Sequence, residues 1–115
     1  MIKSPTVCNI SVTHLRKRGI ENFQEWNSLP NTLYIGRDTQ RYVAGTKLSK
    51  WHNEFSVKEY GRKKCLKMYR DYVLSSDLYD CLIELKGKEL GCWCKPESCH
   101  GDILVELFNE KFNTD

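Results

Sequence analysis

Glu89-Leu90-Gly91-Cys92-Trp93-Cys94-Lys95-Pro96-Glu97-Ser98-Cys99-His100-Gly101-Asp102-Ile103-Leu104 is the stretch that decides the fold. Glu89 to Trp93 is short and apolar enough for a buried strand. Past Pro96 the period changes: Ile103, Leu104, Leu107, Phe108 and Phe112 line one face of a helix beginning near Gly101. A strand that turns directly into a helix is the repeating unit of an α/β domain.

Working back toward the amino terminus, Asp77 to about Leu85 places Leu78, Leu82 and Leu85 on one helical face, with Gly87 as its stop. Before it, Ser56 and Glu59 form a capping box. Val57, Tyr60, Leu66, Tyr69, Tyr72 and Val73 follow at near-helical spacing, and Gly61 weakens the first turns without having to break them. Thr32 to Ile35 is a second short strand stopped by Gly36, and Glu21 to Trp26 a short helix closed by Leu29-Pro30. Thr6 to Val12, carrying Val7, Ile10 and Val12, reads as the first strand, with His14 and Arg16 at its exit. Helical crossovers between strands predict a parallel sheet covered on its faces. The expected architecture is a compact, single-domain, Rossmann-like three-layer α/β fold spanning residues 1–115, with a small, mainly parallel sheet.

Composition narrows the functional classes. With 115 residues, 40% hydrophobic and 29% charged, the chain has material for one core and a solvated surface, which excludes extended disorder. No apolar run reaches a membrane span, and the residues after Met1 do not build a signal peptide. The expectation is a cytoplasmic protein with no membrane partner and reduced thiols, despite six cysteines. The net charge of +3 is modest. Arg16-Lys17-Arg18 and Arg62-Lys63-Lys64 are its basic clusters, the second expected on a solvated helix face.

In parallel α/β sheets, ligands bind beyond the carboxyl ends of the strands. That rule gathers three groups at one rim: His14 and Arg16, then Gly36 and Arg37, then the segment from Cys92 to His100. Within that segment, Cys94 and Cys99 are candidate nucleophiles, His100 a candidate acid–base group, and Asp102 the carboxylate that would orient its imidazole. A thiol at a helix amino end has a lowered pKa. Cys92, Cys94, Cys99 and His100 also make up the ligand count of a structural zinc site, although adjacent Cys99 and His100 must both turn inward. A third reading keeps Cys92 as core strand and makes Cys99 a helix cap. All three readings stay open on the sequence.

Arg37 to Phe55 is a long irregular segment, of a length that in compact domains usually serves function. Lys50, an exposed Trp51 and Asn53 would hold a phosphate, stack a base and read its edge, while Phe55 plugs the loop onto the core. Arg37, directly after a strand-end glycine, is the expected phosphate clamp, with Arg16 and His14 behind it.

Tyr34-Ile35-Gly36-Arg37, Ser49-Lys50-Trp51-His52-Asn53-Glu54-Phe55, Leu85 to Cys94, Pro96 and Cys99-His100-Gly101-Asp102 together resemble domain of unknown function family 4326, an uncharacterised family of small phage, viral and microbial proteins. The resemblance runs from about Val7 to Leu107. The family's middle motif usually reads S-x-W-G-N-P-F, where this chain has His52 for the glycine and Glu54 for the proline. The resemblance implies no reaction. Its Cys-His ending is similar to other Rossmann-type families suspected of nucleotide or nucleic-acid processing. The expected function is therefore a nucleotide- or nucleic-acid-directed domain, in one version an enzyme acting on a glycosidic or phosphate bond. The competing expectation is a non-catalytic binding module for a nucleotide signal or a protein partner, zinc-stabilised in one version. The sequence leaves the oligomeric state open.

Overall fold

A computed structural model describes residues 2–95 and 97–113 of the chain. Pro96, part of the cysteine motif, lies outside the described residues. Three strands form one parallel sheet: β1 (Thr6–Asn9) and β2 (Thr32–Tyr34) flank the last strand, β3 (Glu89–Cys92). Val7 and Leu33 both stand in register with Leu90. Helices α1 (Val12–Lys17) and α2 (Phe23–Asn27) connect β1 to β2. Helices α3 (Val57–Tyr60), α4 (Arg62–Leu74) and α5 (Leu78–Cys81), with a 3₁₀ turn over Leu82–Leu85, lie between β2 and β3, and α6 (His100–Phe112) closes the chain. Among the described residues no helix is long and apolar enough to cross a membrane.

Side chains alternate across a strand, so the central strand sorts two cores. Leu90 and Cys92 join Trp51, Tyr69, Val73, Leu82, Leu85, Leu104, Leu107 and Phe108, with Val7 and Leu33 against the same cluster. On the other face Tyr34 and Cys8 meet Ile10, Leu15, Phe23 and Trp26. Gly91 lies beneath this second cluster because Trp26 needs the space. A Cβ there would stand 2.5 Å from Cη2 of the indole and 2.9 Å from Ile10. Gly101 plays the matching part for α6, where a Cβ would come within 3.0 Å of both Ile35 and Val7. Lacking one, the first turn of α6 settles onto the strand ends.

The amino end of β3 is tied by a single carboxylate. Glu89 accepts from Trp26 Nε1 (2.7 Å), from Arg18 Nη1 and Nη2 (2.8 and 3.2 Å) and from the Cys8 thiol (3.3 Å). Burial pushes this carboxyl up, but the bonds from Arg18, Trp26 and Cys8 outweigh it and hold Glu89 below the ordinary glutamate range. Burial and the adjacent carboxylate push the Cys8 thiol up to about 12. Arg18 is thus a structural partner.

Most boundaries shift by a residue or two, and two differences from the sequence expectation matter for the site. β1 stops at Asn9 instead of running to Val12. The Asn9 side chain accepts the Ser11 N–H (2.8 Å), and Ser11 then caps α1 by accepting the His14 N–H (3.5 Å). A local cap overrode the β-branched run. Gly61, at φ +80°, does break its helix and separates α3 from α4.

Candidate functional site

A cleft of about 320 Å³ opens at the carboxyl ends of β2 and β3, over the first turn of α6. Gly36 and Arg37 enter it from β2, Trp93 and Cys94 from β3, and Cys99 and His100 from α6. Asn53, Phe55 and Ser56 close it from the long loop, and Val57, Arg62 and Leu66 from α3 and α4. Its volume is at the small end of the range for ligand pockets, and Phe55, Val57 and Leu66 give it an apolar wall.

Each functional side chain is held by an identifiable local cause. Arg37 donates Nε and Nη2 to the Asn53 carbonyl (3.1 and 2.8 Å), which fixes the guanidinium plane and leaves its other edge toward solvent. Asn53 spends its own amide inside the loop, accepting the Phe55 N–H (3.0 Å) and donating toward Cys65 Sγ (3.1 Å). Arg62, at the start of α4, donates to the Ser98 carbonyl (2.6 Å) and thereby reaches across to the segment before α6. Trp93 donates to the Tyr34 hydroxyl (3.2 Å), which donates to the Arg37 carbonyl (2.6 Å), so indole and arginine are positioned by one chain of bonds. The indole remains 36% exposed.

His100 Nε2 lies 2.7 Å from the Ile35 carbonyl. A carbonyl only accepts, so Nε2 carries the proton and Nδ1 is the lone-pair nitrogen. Burial pushes this imidazole below its ordinary range; the Ile35 bond opposes that, and the Arg37 guanidinium adds to it. The edge of Tyr69 packs on the ring at 5.1 Å. The result is a fixed, neutral imidazole at the cleft wall. The amino end of the thirteen-residue α6, with its positive dipole end, meets the two arginines there.

The cysteines are arranged differently from the sequence expectation. Cys92 and Cys99 are each 2% exposed, with their sulfurs 3.3 Å apart. The hydrogen bond to Cys92, followed by burial, pushes the Cys99 thiol up, so the helix terminus does not make it an acidic thiol. Asp102 does not orient His100. Its carboxylate accepts the Cys99 backbone N–H (3.1 Å), completing the cap of α6, and pairs with Lys95. The four-ligand zinc set does not assemble: no group of three or more potential ligands gathers among the described residues.

Of the expected ligand-binding residues, the structure brings Arg37 and Asn53 to the cleft with Cys94, Cys99 and His100. It sends the others elsewhere. Trp51, expected exposed, is 1% exposed in the core, where its carbonyl accepts the Tyr69 hydroxyl (2.7 Å). Phe55 lines the cleft instead. Lys50 pairs with Glu84 (2.8 Å) beside a separate depression. His14 and Arg16 sit on α1, His14 bonded to Ser11 (2.6 Å) and Arg16 to Glu21 (3.0 Å), and neither lines the cleft. Sequence reasoning missed Arg62 and Trp93. Arg62 was signalled by its place directly after a helix-breaking glycine, and Trp93 by strand alternation, since the buried side of Cys92 turns its neighbour outward.

A family model described as "Domain of unknown function (DUF4326)" matches residues 19–110. Uncharacterized protein R718 of Acanthamoeba polyphaga mimivirus is 40% identical over 96 residues, covering 72% of this chain and 72% of that protein. An uncharacterized 12.4 kDa protein in the nrdA-td intergenic region of Enterobacteria phage T4 is 52% identical over 31 residues, covering 27% of this chain and 29% of that protein. No solved structure matches the chain.

Proposed function

The chain belongs to the DUF4326 family, with uncharacterised viral and phage relatives, and from that premise we propose that it is a nucleotide- or nucleic-acid-directed domain working through the cleft above β2, β3 and α6. The observation that carries this reading is the meeting of Arg37, Arg62 and the amino end of α6 around an apolar pocket with an exposed indole face. Two guanidinium groups and a helix terminus suit a phosphate, and Trp93 with Phe55 suits a base. Lys63, Lys64 and Lys67 line a separate depression that shares Arg62 with the cleft. Those lysines beside Arg62 support a strand end as well as a mononucleotide. In the enzyme version of the reading, His100 Nδ1 accepts a proton as a glycosidic or phosphate bond is attacked. A specific observation favours the alternative, a non-catalytic binding module: Asp102 is committed to the helix cap and Cys99 to Cys92, so neither backs the imidazole.

The test is a thermal-shift panel of mononucleotides, cyclic nucleotides and short single strands. A member of the panel should raise the melting temperature. Arg37→Ala and Arg62→Ala should each weaken that ligand by about 1.5–3 kcal/mol, the worth of a charge-assisted hydrogen bond. Trp93→Ala should cost a comparable amount while leaving the salt dependence nearly unchanged. Arg16→Ala should do neither. A panel with no ligand, or an Arg16 effect equal to that of Arg37, overturns the proposal. With a ligand in hand, His100→Asn separates the two versions, since loss of turnover with retained binding supports catalysis.

A further inference from the structure

Six thiols are present, and the structure treats one pair unlike the rest. Cys8 donates to Glu89 and Cys65 to the Phe55 carbonyl, so each is an isolated, satisfied polar group. Cys92 and Cys99 instead face each other at 3.3 Å, one at the end of β3 and the other capping α6. The backbone N–H groups of Cys94 and Lys95 also donate toward Cys92 sulfur, and the Lys95 ammonium, paired with Asp102, adds positive charge that both thiols feel. The bond between the two thiols holds Cys92 below its ordinary range against the opposing effect of burial, with the backbone donors adding to it, and the same bond holds Cys99 above its own. Cys99 lines the cleft, which gives a small reagent a route to the pair.

We propose that Cys92 and Cys99 are a redox site, oxidised by hydrogen peroxide to an internal disulfide between β3 and the first turn of α6. In the first step the Cys92 thiolate attacks one peroxide oxygen. An S–O bond forms, the O–O bond breaks, and the departing hydroxide takes up a proton to become water. In the second step Cys99 sulfur attacks Cys92 sulfur, the S–S bond forms, and the sulfenic hydroxyl leaves with the Cys99 proton as a second water. Two thiols lose two electrons and two protons, and one peroxide becomes two waters. A small dithiol reverses the change. This site is independent of the nucleotide reading, since it needs no ligand in the cleft.

The experiment treats the reduced full chain with equimolar hydrogen peroxide and maps the cysteines by differential alkylation and mass spectrometry. Cys92 and Cys99 should disappear together, with a loss of two hydrogens and a linked peptide that dithiothreitol releases. Their oxidation should run about tenfold faster than that of Cys8, Cys65, Cys81 or Cys94. Cys99→Ser keeps a favourable helix cap, so the variant should fold with an unchanged circular dichroism spectrum. It should then trap a dimedone-reactive sulfenate on Cys92, while Cys92→Ser traps none on Cys99. Uniform oxidation, an inert pair, a sulfenate on Cys99 or Cys94 first, or thiols shielded by stoichiometric zinc would each overturn the proposal.

Discussion

β3 has four residues and two quite different ends. At its amino end the polar groups pair with one another: Glu89 takes the indole, the guanidinium and a thiol. At its carboxyl end Arg37 and Arg62 rest on backbone carbonyls, which hold them without neutralising them. One end is an ion pair built for architecture, and the other a set of charged donors held by backbone carbonyls. Positive charge alone does not distinguish them. What distinguishes them is whether the partner is a carboxylate or a carbonyl.

The comparison breaks most readily at the amino end, where stability is concentrated. Trp26→Ala removes a fully buried indole and orphans part of the Glu89 carboxylate. It should cost about 3–5 kcal/mol in denaturant unfolding, the usual loss for a large aromatic truncated in a core. A change within about 1 kcal/mol would mean that the second core is not where the structure puts it.

The Glu89 carboxylate gives a smaller and pH-dependent effect. Its folded pKa lies below its unfolded value, so the unfolded chain binds more protons in acid. Its contribution is therefore present above about pH 4.3, the ordinary glutamate value, and disappears as pH falls through the lower, folded pKa. Glu89→Gln should lower stability at pH 7 and flatten the acid limb of a melting-temperature profile. An unchanged limb would argue that the knot is solvent-exposed in solution.

The smallest effect comes from the other end. His100 is likewise depressed, here because burial disfavours the imidazolium. The unfolded chain gains the proton first, so stability is highest above about pH 6.5 and falls below it. His100→Asn should erase that shallow step while leaving the plateau at pH 8 nearly as it was. A step that survives the substitution belongs to another group.

The legible parts of the sequence were those governed by periodicity and punctuation. The run from Glu89 through Phe112, the helix starting after Ser56, and the parallel sheet follow from apolar spacing and from glycines, which tertiary packing reinforced. The illegible parts were decided by competition between local signals or by direction. Ser11 could cap a helix as well as extend a strand, and once Asn9 turned the chain it capped, carrying His14 and Arg16 away from the rim. Trp51 and Trp93 look equally suited to stacking in sequence, and only the path of the long loop turns the first inward. Asp102 lies two residues from His100, but a helix points such residues in different directions, so it caps Cys99 instead. Arg62 sits among lysines that face outward, and its role emerged only because Gly61 redirects the helix start.

The order of the strands also sets a timetable. β1 and β2 never touch each other, since the last strand lies between them and pairs with both. Until Glu89 to Cys92 arrives, the first two strands have edges and no ladder, and each core has only one wall. Pairing Val7 with Leu90 spans most of the chain, a large loop to close before any sheet contact rewards it. On a ribosome, helices such as α4 can form early, whereas the sheet must wait until its central strand has left the exit tunnel. Assembly is therefore late and concerted, with β3 as the piece that turns two loose edges into a fold.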